Sequence, residues 1–112
     1  MDETWEIDDA EVRHGNAPDR HFIPSLAERS GVRVGEQVRL LFFFRGRDEH
    51  GLHMQSEHLR VTVQAALASG YVGTLNKSPA HFPLLQEGAA VSFEPRHIVS
   101  IHWEPGMASY HA

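Results

Sequence analysis

Alternation of apolar and polar positions is clearest from His58 to Leu67, where it predicts a strand with one buried face. Every second residue of this strand is expected to face the core: Leu59, Val61, Val63, Ala65 and Leu67. The stretch from Val38 to Arg45 is rich in strand formers and is apolar at successive positions from Leu40 onward. That pattern predicts a central strand buried on both faces, or one whose second face meets a partner.

Shorter apolar segments predict three further strands, at Tyr71 to Leu75, Ala90 to Glu94 and His97 to Trp103. Residues 46–57 are polar and are expected to connect two strands, in an exposed hairpin. Residues 4–12 alternate loosely, which predicts either a short strand or a surface segment. Residues 13–20 have the composition of turns throughout.

Local turn signals complete the predicted fold. Ser25 followed by Glu28 predicts a capping box on a single helical turn that ends at Gly31. The pattern Gly-x-x-Val-x-apolar occurs at Gly35 and again at Gly88, so two strands are expected to begin alike. Together these elements predict an all-β fold, a small SH3-like or Sm-like barrel of five or more strands with one short helical turn. The expected divisions are an N-terminal arm (1–20), the barrel (21–103) and a C-terminal tail (104–112).

Length and composition narrow the class of protein. The length of 112 residues predicts a single domain. The chain has no cysteine, which excludes disulfides and thiolate sites, and it has no apolar run long enough to span a membrane. The N-terminus lacks the features of a secretory signal, so a cytoplasmic location is expected. The net charge is −5, and six of the 15 acids precede the first base, Arg13. The nearly neutral remainder argues against broad contact with a phosphate backbone.

Three histidines form the candidate metal site: His50, His53 and His58, which are flanked by acidic residues. Gly51 opposes the helix that would aim His50 and His53 at one point, so we predict neither a metal nor another cofactor. His97, just after Pro95, is expected to fix a turn by bonding to backbone. No Gly-x-Ser-x-Gly motif or phosphate-binding glycine loop occurs, and the sequence indicates no enzyme.

Aromatic and basic residues supply two interpretations of the strand near residue 43. Phe42 and Phe44 are expected to fill the core, which leaves Phe43 on the other face, under the N-terminal arm or in an interface. A nucleic-acid platform would instead require four arginines on one face: Arg39, Arg45, Arg60 and Arg96.

Several turn and core positions match a known family. They are Phe22 to Ser25, Gly35, Glu36, Val38 to Leu40, Phe42, Gly73 to Leu75, Pro79, Leu85, Gly88, Val91 to Phe93, His97 and Ile98. Over residues 21–102 the chain resembles the YegJ-like bacterial domain of unknown function. It departs from the family pattern at Arg60, where an aromatic is usual, and at Lys77, where asparagine is usual. The resemblance implies a small β-rich bacterial protein without an assigned reaction, and related small domains include immunity proteins that neutralise toxins.

The leading hypothesis is a non-catalytic module that binds another protein through its acidic arm, strand edges or histidine-rich loop. Immunity or regulation is its sharper form, and Phe43 and Arg60 are the predicted interface residues. The alternative is an Sm-like or SH3-like nucleic-acid-binding barrel, although nucleic acid is not the expected partner. A third class is a metal-dependent enzyme that uses His50, His53 and His58. The apolar faces near Phe43 also predict a homodimer.

Overall fold

A computed structural model describes residues 3–80 and 82–102 of the chain, and these residues are mainly β. Its strands are β1 (Glu3–Ile7), β2 (Gln37–Asp48), β3 (Gly51–Leu67), β4 (Gly70–Leu75), β5 (Ala90–Phe93) and β6 (Ser100–His102). Its helices are α1 (Ala10–Asn16), α2 (Leu26–Ser30) and a 3₁₀ helix (Pro95–His97). The predicted C-terminal tail (104–112) and Trp103 lie outside the described residues.

The strands form one curled antiparallel sheet in the order β1-β2-β3-β4-β5. The short strand β6 pairs with the start of β2, beside the segment of β2 that pairs with β1. Within the described residues, β1 and β5 each have one unpaired edge, so the sheet is a half-barrel. The predicted all-β class is therefore confirmed at this level.

The long hairpin of β2 and β3 is the main body of the sheet. Its register runs without interruption from Gln37 opposite Thr62 to Asp48 opposite Gly51. The polar connection expected at 46–57 is therefore the outer part of the hairpin, with only Glu49 and His50 in the turn. Both faces of this part are exposed, so its sequence lacks the apolar alternation by which a half-buried strand is recognised.

The inner face of the sheet carries the hydrophobic core. Val38, Leu40 and Phe42 are fully buried and face the likewise buried Val61 and Val63 on β3. Phe42 and Phe44 both point inward, as predicted, with ring centroids 6.0 Å apart. The alternation predicted for β3 fails beyond Val63, since the register shifts there and leaves Leu67 58% exposed and Ala65 half-buried.

The turns that begin β2 and β5 are alike. Gly35 has φ of +93° and Gly88 has φ of +91°, in the left-handed region that favours glycine. In each case the residues three and five places further on are buried, which confirms the predicted common entry into the strand.

The predicted capping box on α2 is also present, because the Ser25 and Glu28 side chains each accept the other's backbone N–H.

Two predicted segments have a different structure. Residues 13–20 were expected to be turn, but α1 extends to Asn16 and begins at the N-cap Asp9, whose carboxylate accepts the Val12 amide hydrogen. The helix was missed because it is short and has no apolar repeat. The strand expected from His97 onward starts only at Ser100, since Pro95 opens a 3₁₀ turn.

Candidate functional site

The acidic N-terminal segment is held against the rest of the chain by its own charges. Four of its acids pair with arginines: Glu6 with Arg45 at 3.8 Å, Asp8 with Arg13 at 2.7 Å, Asp9 with Arg96 at 2.9 Å, and Glu11 with Arg29 at 2.5 Å. The Asp8–Arg13 pair lies within the segment and joins its flank to α1, whereas Asp9–Arg96 and Glu11–Arg29 connect the segment to the 3₁₀ helix and to α2. Much of the negative charge of the acidic arm, one of the predicted protein-binding elements, is thus neutralised within the molecule.

Arg29 joins the short helices to the sheet and is only 6% exposed. Its Nε donates to the Pro24 carbonyl (2.8 Å), and its Nη1 donates to the Glu11 carboxylate and to the Pro95 carbonyl (3.1 Å). The carbonyl of Arg29 accepts the Tyr71 hydroxyl hydrogen at 2.7 Å. Arg29 therefore has a structural role that the sequence did not reveal, because a single arginine in a five-residue helix carries no recognisable signal.

The opposite side of the sheet from the core, which we call the outer face, collects basic side chains from three strands. Pairing across the sheet and alternation along it place six notable residues here: Arg39, Phe43 and Arg45 from β2, His58 and Arg60 from β3, and His102 from β6. The predicted interface residues Phe43 and Arg60 thus share one surface. Three of the four arginines named for the nucleic-acid alternative also lie on it.

Arg39 and Arg60 stand directly opposite each other on neighbouring strands. Side chains in such pairs have Cβ atoms about 4.5–5.5 Å apart, and like charges there destabilise the sheet. Neither guanidinium forms a salt bridge with any described acid. On the other side of Arg39, β6 contributes Ser100, whose hydroxyl lies 2.9 Å from His102 Nε2. The centre of the outer face is therefore a compact region of unbalanced positive charge.

The pKa values of the two histidines named on the outer face are lowered by burial and by nearby arginines. Desolvation lowers the pKa of His102, and the positive charges of Arg60 and Arg39 lower it further. Desolvation likewise lowers the pKa of His58, with additional effects from Arg39 and Arg13. Both imidazoles are therefore biased toward the neutral form, and an anion placed among these side chains would oppose that bias.

Phe43 lies in the adjoining part of the outer face, beside a groove of about 320 Å³. Arg13 from α1 lies over its ring, 5.8 Å from the centroid, so the N-terminal segment covers part of it. The groove continues past Arg45 to Met54, which is 61% exposed. An apolar cleft thus lies on the same face as the charged centre, with the Leu41 and His58 pair between the two.

The remaining sequence candidates lie elsewhere. Arg96, on the 3₁₀ helix, donates to Asp9 and Glu94 and does not join the other three arginines. Desolvation raises the pKa of the Asp9 carboxyl, but hydrogen bonds from Arg96 and the Val12 amide outweigh it and bring the pKa below its usual value. His97 Nδ1 accepts the Glu94 amide hydrogen at 2.9 Å, so its predicted role in fixing a turn is confirmed.

The three candidate metal ligands do not converge. His53 and His58 are five residues apart on β3 and so point to opposite faces of the sheet. His53 Nε2 and the His50 amide both bond the Asp48 carboxylate at the hairpin turn, and these two bonds lower the pKa of Asp48. In the part of the chain that the structure describes, no three His, Asp or Glu side chains are grouped to hold a metal ion.

None of the helices in residues 3–80 and 82–102 has the length and apolar character required to cross a bilayer.

Comparison with known proteins identified no related protein. The resemblance to the YegJ-like domain stays a prediction. No protein-family model, no curated protein and no solved structure matches this chain.

Proposed function

We propose that this chain is a non-catalytic module that binds another protein through its outer face. The observation that carries the proposal is the cross-strand pair of Arg39 and Arg60, two like charges without a described acid to balance them. Such a pair costs folding stability, and a partner that supplies negative charge would remove that cost. The proposed partner therefore presents acidic groups to this surface.

The composition of the outer face supports a protein as the partner. Arginine and aromatic side chains are enriched among residues that dominate protein–protein binding energy. Phe43 and the apolar groove lie on the same face as Arg39 and Arg60, and Phe43 is four residues, or about 13 Å of strand, from Arg39. One face therefore offers both charged contacts and an apolar anchor. Immunity or regulation of the partner is the form of this function that the family resemblance favours, and a cytoplasmic location is proposed with it.

A nucleic-acid-binding barrel is the second candidate, and one observation favours it. Arg39, Arg45 and Arg60 lie on the same face, as that function requires. Against it, Arg96 is bonded elsewhere, Arg45 lies 3.8 Å from Glu6, and the net charge of the chain is −5. We also propose that the half-barrel belongs to the SH3-like or Sm-like class, which both candidate functions share.

An affinity pull-down of the tagged full chain from its native lysate, with and without nuclease, separates the two candidates. We expect one stoichiometric protein that survives nuclease, that is lost with Arg39→Glu, and that is retained with Arg20→Glu. Arg20 is a matched control because it is exposed and forms no salt bridge with a described residue. Recovery of nucleic acid, or loss of partners upon nuclease treatment, would favour the second candidate instead.

Self-association through Phe43 is a separate proposal. Phe43 is half-buried beside an open groove, and the edges of β1 and β5, which no described strand pairs with, offer further contact. Sedimentation of the wild type at tens of micromolar is expected to show a dimer, and Phe43→Asp a monomer. Gln64→Asp adds the same charge at an exposed position of β3 and should leave the dimer intact. A monomeric wild type would refute the homodimer.

A further inference from the structure

The charged centre of the outer face has the composition of an oxyanion site. We propose that Arg39, Arg60 and His102 bind a tetrahedral oxyanion of the phosphate monoester class, and that a phosphorylated side chain of the partner protein occupies the site. The second half of this statement rests on the proposed function. The first half concerns only the chain itself and can be tested without the partner.

The register across three strands brings the three side chains together. Arg39 on β2 is opposite Arg60 on β3 and, on its other side, opposite Ser100 on β6, two residues from His102. Alternation places all four on the outer face. Guanidinium groups present planar sets of N–H donors that match phosphate oxygens, and an oxyanion between two of them balances both charges.

Ser100 prepares the imidazole for this role. Its hydroxyl lies 2.9 Å from His102 Nε2, and when the hydroxyl donates to Nε2 the ring hydrogen is on Nδ1. Nδ1 has no hydrogen-bond partner among the described residues, so its hydrogen is left for an acceptor such as a phosphate oxygen. Pairing of β6 with β2 places His102 diagonally across from Arg39, and desolvation, then the charges of Arg60 and Arg39, lower the pKa of its ring.

The spacing of bases favours one dianionic group over a chain of diesters. A nucleic-acid strand presents a phosphate every 3.4 Å of helix axis and needs basic groups repeated along its path. On β2 the next outward-facing arginine, Arg45, is six residues from Arg39, which is about 20 Å of strand. Leu41 and Phe43 stand between them, and Arg13, which lies over the Phe43 ring, is paired with Asp8. The positive charge that no described acid balances is therefore concentrated at Arg39 and Arg60.

Titration of the isotope-labelled full chain with inorganic phosphate, at constant ionic strength made up with chloride, tests the site directly. We expect the imidazole signals of His102 to shift saturably, with millimolar affinity, and the pKa of His102 to rise when phosphate is bound. Arg39→Gln should weaken binding at least about tenfold, since one of two charge-assisted contacts is lost. Arg20→Gln should bind as the wild type does. A linear response, or an equal affinity in Arg39→Gln, would overturn the oxyanion site.

Phosphatase treatment of the partner recovered in the pull-down tests the source of the phosphate. We expect dephosphorylated partner to be lost from the wild-type chain, and unchanged retention would overturn a phosphorylated side chain as the occupant. Failure of the two proposals is distinguishable. If phosphate does not bind but retention depends on Arg39, only the oxyanion site fails. If phosphate binds but retention is insensitive to Arg39 and Arg60, the outer face is not the protein-binding surface.

Discussion

Replacing Arg60 with glutamate is expected to stabilise the fold while it removes partner binding. Arg60 is exposed, and its cross-strand neighbour on the outer face is another arginine. Arg60→Glu turns a repulsive pair into an attractive one without disturbing the core, because Leu59 and Val61 point the other way. A gain in stability that comes together with a loss of partner binding would show that Arg60 serves binding at the expense of the fold, whereas a gain in stability alone is common at surface charges.

The size of the gain follows from the charges. Two unit charges about 6 Å apart repel by roughly 0.7 kcal/mol in a medium with the dielectric constant of water. Reversing one charge therefore changes the interaction by roughly 1.4 kcal/mol at low ionic strength. Screening at physiological salt removes about half of this, since the Debye length there is about 8 Å. Arg60→Gln, the neutral control, should give about half of each gain because it removes the repulsion without adding attraction.

Urea denaturation of the wild type and both variants, at low and physiological salt, measures these differences. We expect the free energy of unfolding to rise in the order wild type, Arg60→Gln, Arg60→Glu, and the differences to shrink as salt is added. A variant that is less stable than the wild type, or a difference independent of salt, would show that Arg39 and Arg60 are not an unbalanced pair. Arg39 and Arg60 would then give no indication that the outer face binds an acidic partner.

Three further predictions concern the fold. Arg29→Met should lower the free energy of unfolding by about 3 kcal/mol in urea denaturation, because the partly buried Pro24 and Pro95 carbonyls lose a charged donor. The partly exposed ion pair with Glu11 adds little. Gly73→Ala should destabilise by about 1–3 kcal/mol in the same assay, since a Cβ there would lie 2.7 Å from the Thr62 carbonyl oxygen, whereas Gly15→Ala, with nothing within 4 Å in a helix, should stabilise by about 0.5–1 kcal/mol. Three histidines have a lower pKa in the folded chain than the ordinary value of 6.5: His58, His97 and His102. Below pH 6.5 the unfolded chain therefore binds protons more tightly than the folded chain, and the melting temperature should fall as the pH is lowered. Unchanged stability in Arg29→Met would contradict a structural role of Arg29, and an equal effect of the two glycine substitutions would contradict a clash specific to Gly73. A melting temperature that rises from pH 6.5 to pH 5 would contradict the lowered histidine pKa values.

The strands could be predicted where one face is buried, and only there. Val38 to Arg45, Tyr71 to Leu75 and the glycine turns at Gly35 and Gly88 agree with the structure because burial imposes a pattern of period two. The outer part of the β2–β3 hairpin has solvent on both faces, so nothing in its sequence marks it as strand. Helix α1 could not be predicted either, because the ion pairs that hold it are made with residues distant in sequence, Arg29 and Arg96.

The candidate site was predictable in part. Alternation placed Phe43 opposite the core, and Arg60 outward on β3, so both reach the outer face by local rules. The meeting of Arg39 with Arg60 depends on the register of the hairpin, and that of His102 with both depends on β6 pairing with β2. Register is a property of the folded sheet, which is why the sequence named the arginines without showing which of them stand together.

Binding of an acidic protein partner by the outer face can be measured in one calorimetric comparison. Calorimetric titration of the partner recovered in the pull-down into the wild type, Arg60→Glu and the control Arg20→Glu measures the contribution of this surface. We expect saturable binding to the wild type and to Arg20→Glu, and at least about a hundredfold weaker binding to Arg60→Glu, because loss of one partner of a buried interfacial charge pair costs about 2–5 kcal/mol. Equal affinity of Arg60→Glu and the wild type would contradict binding of the partner by the outer face.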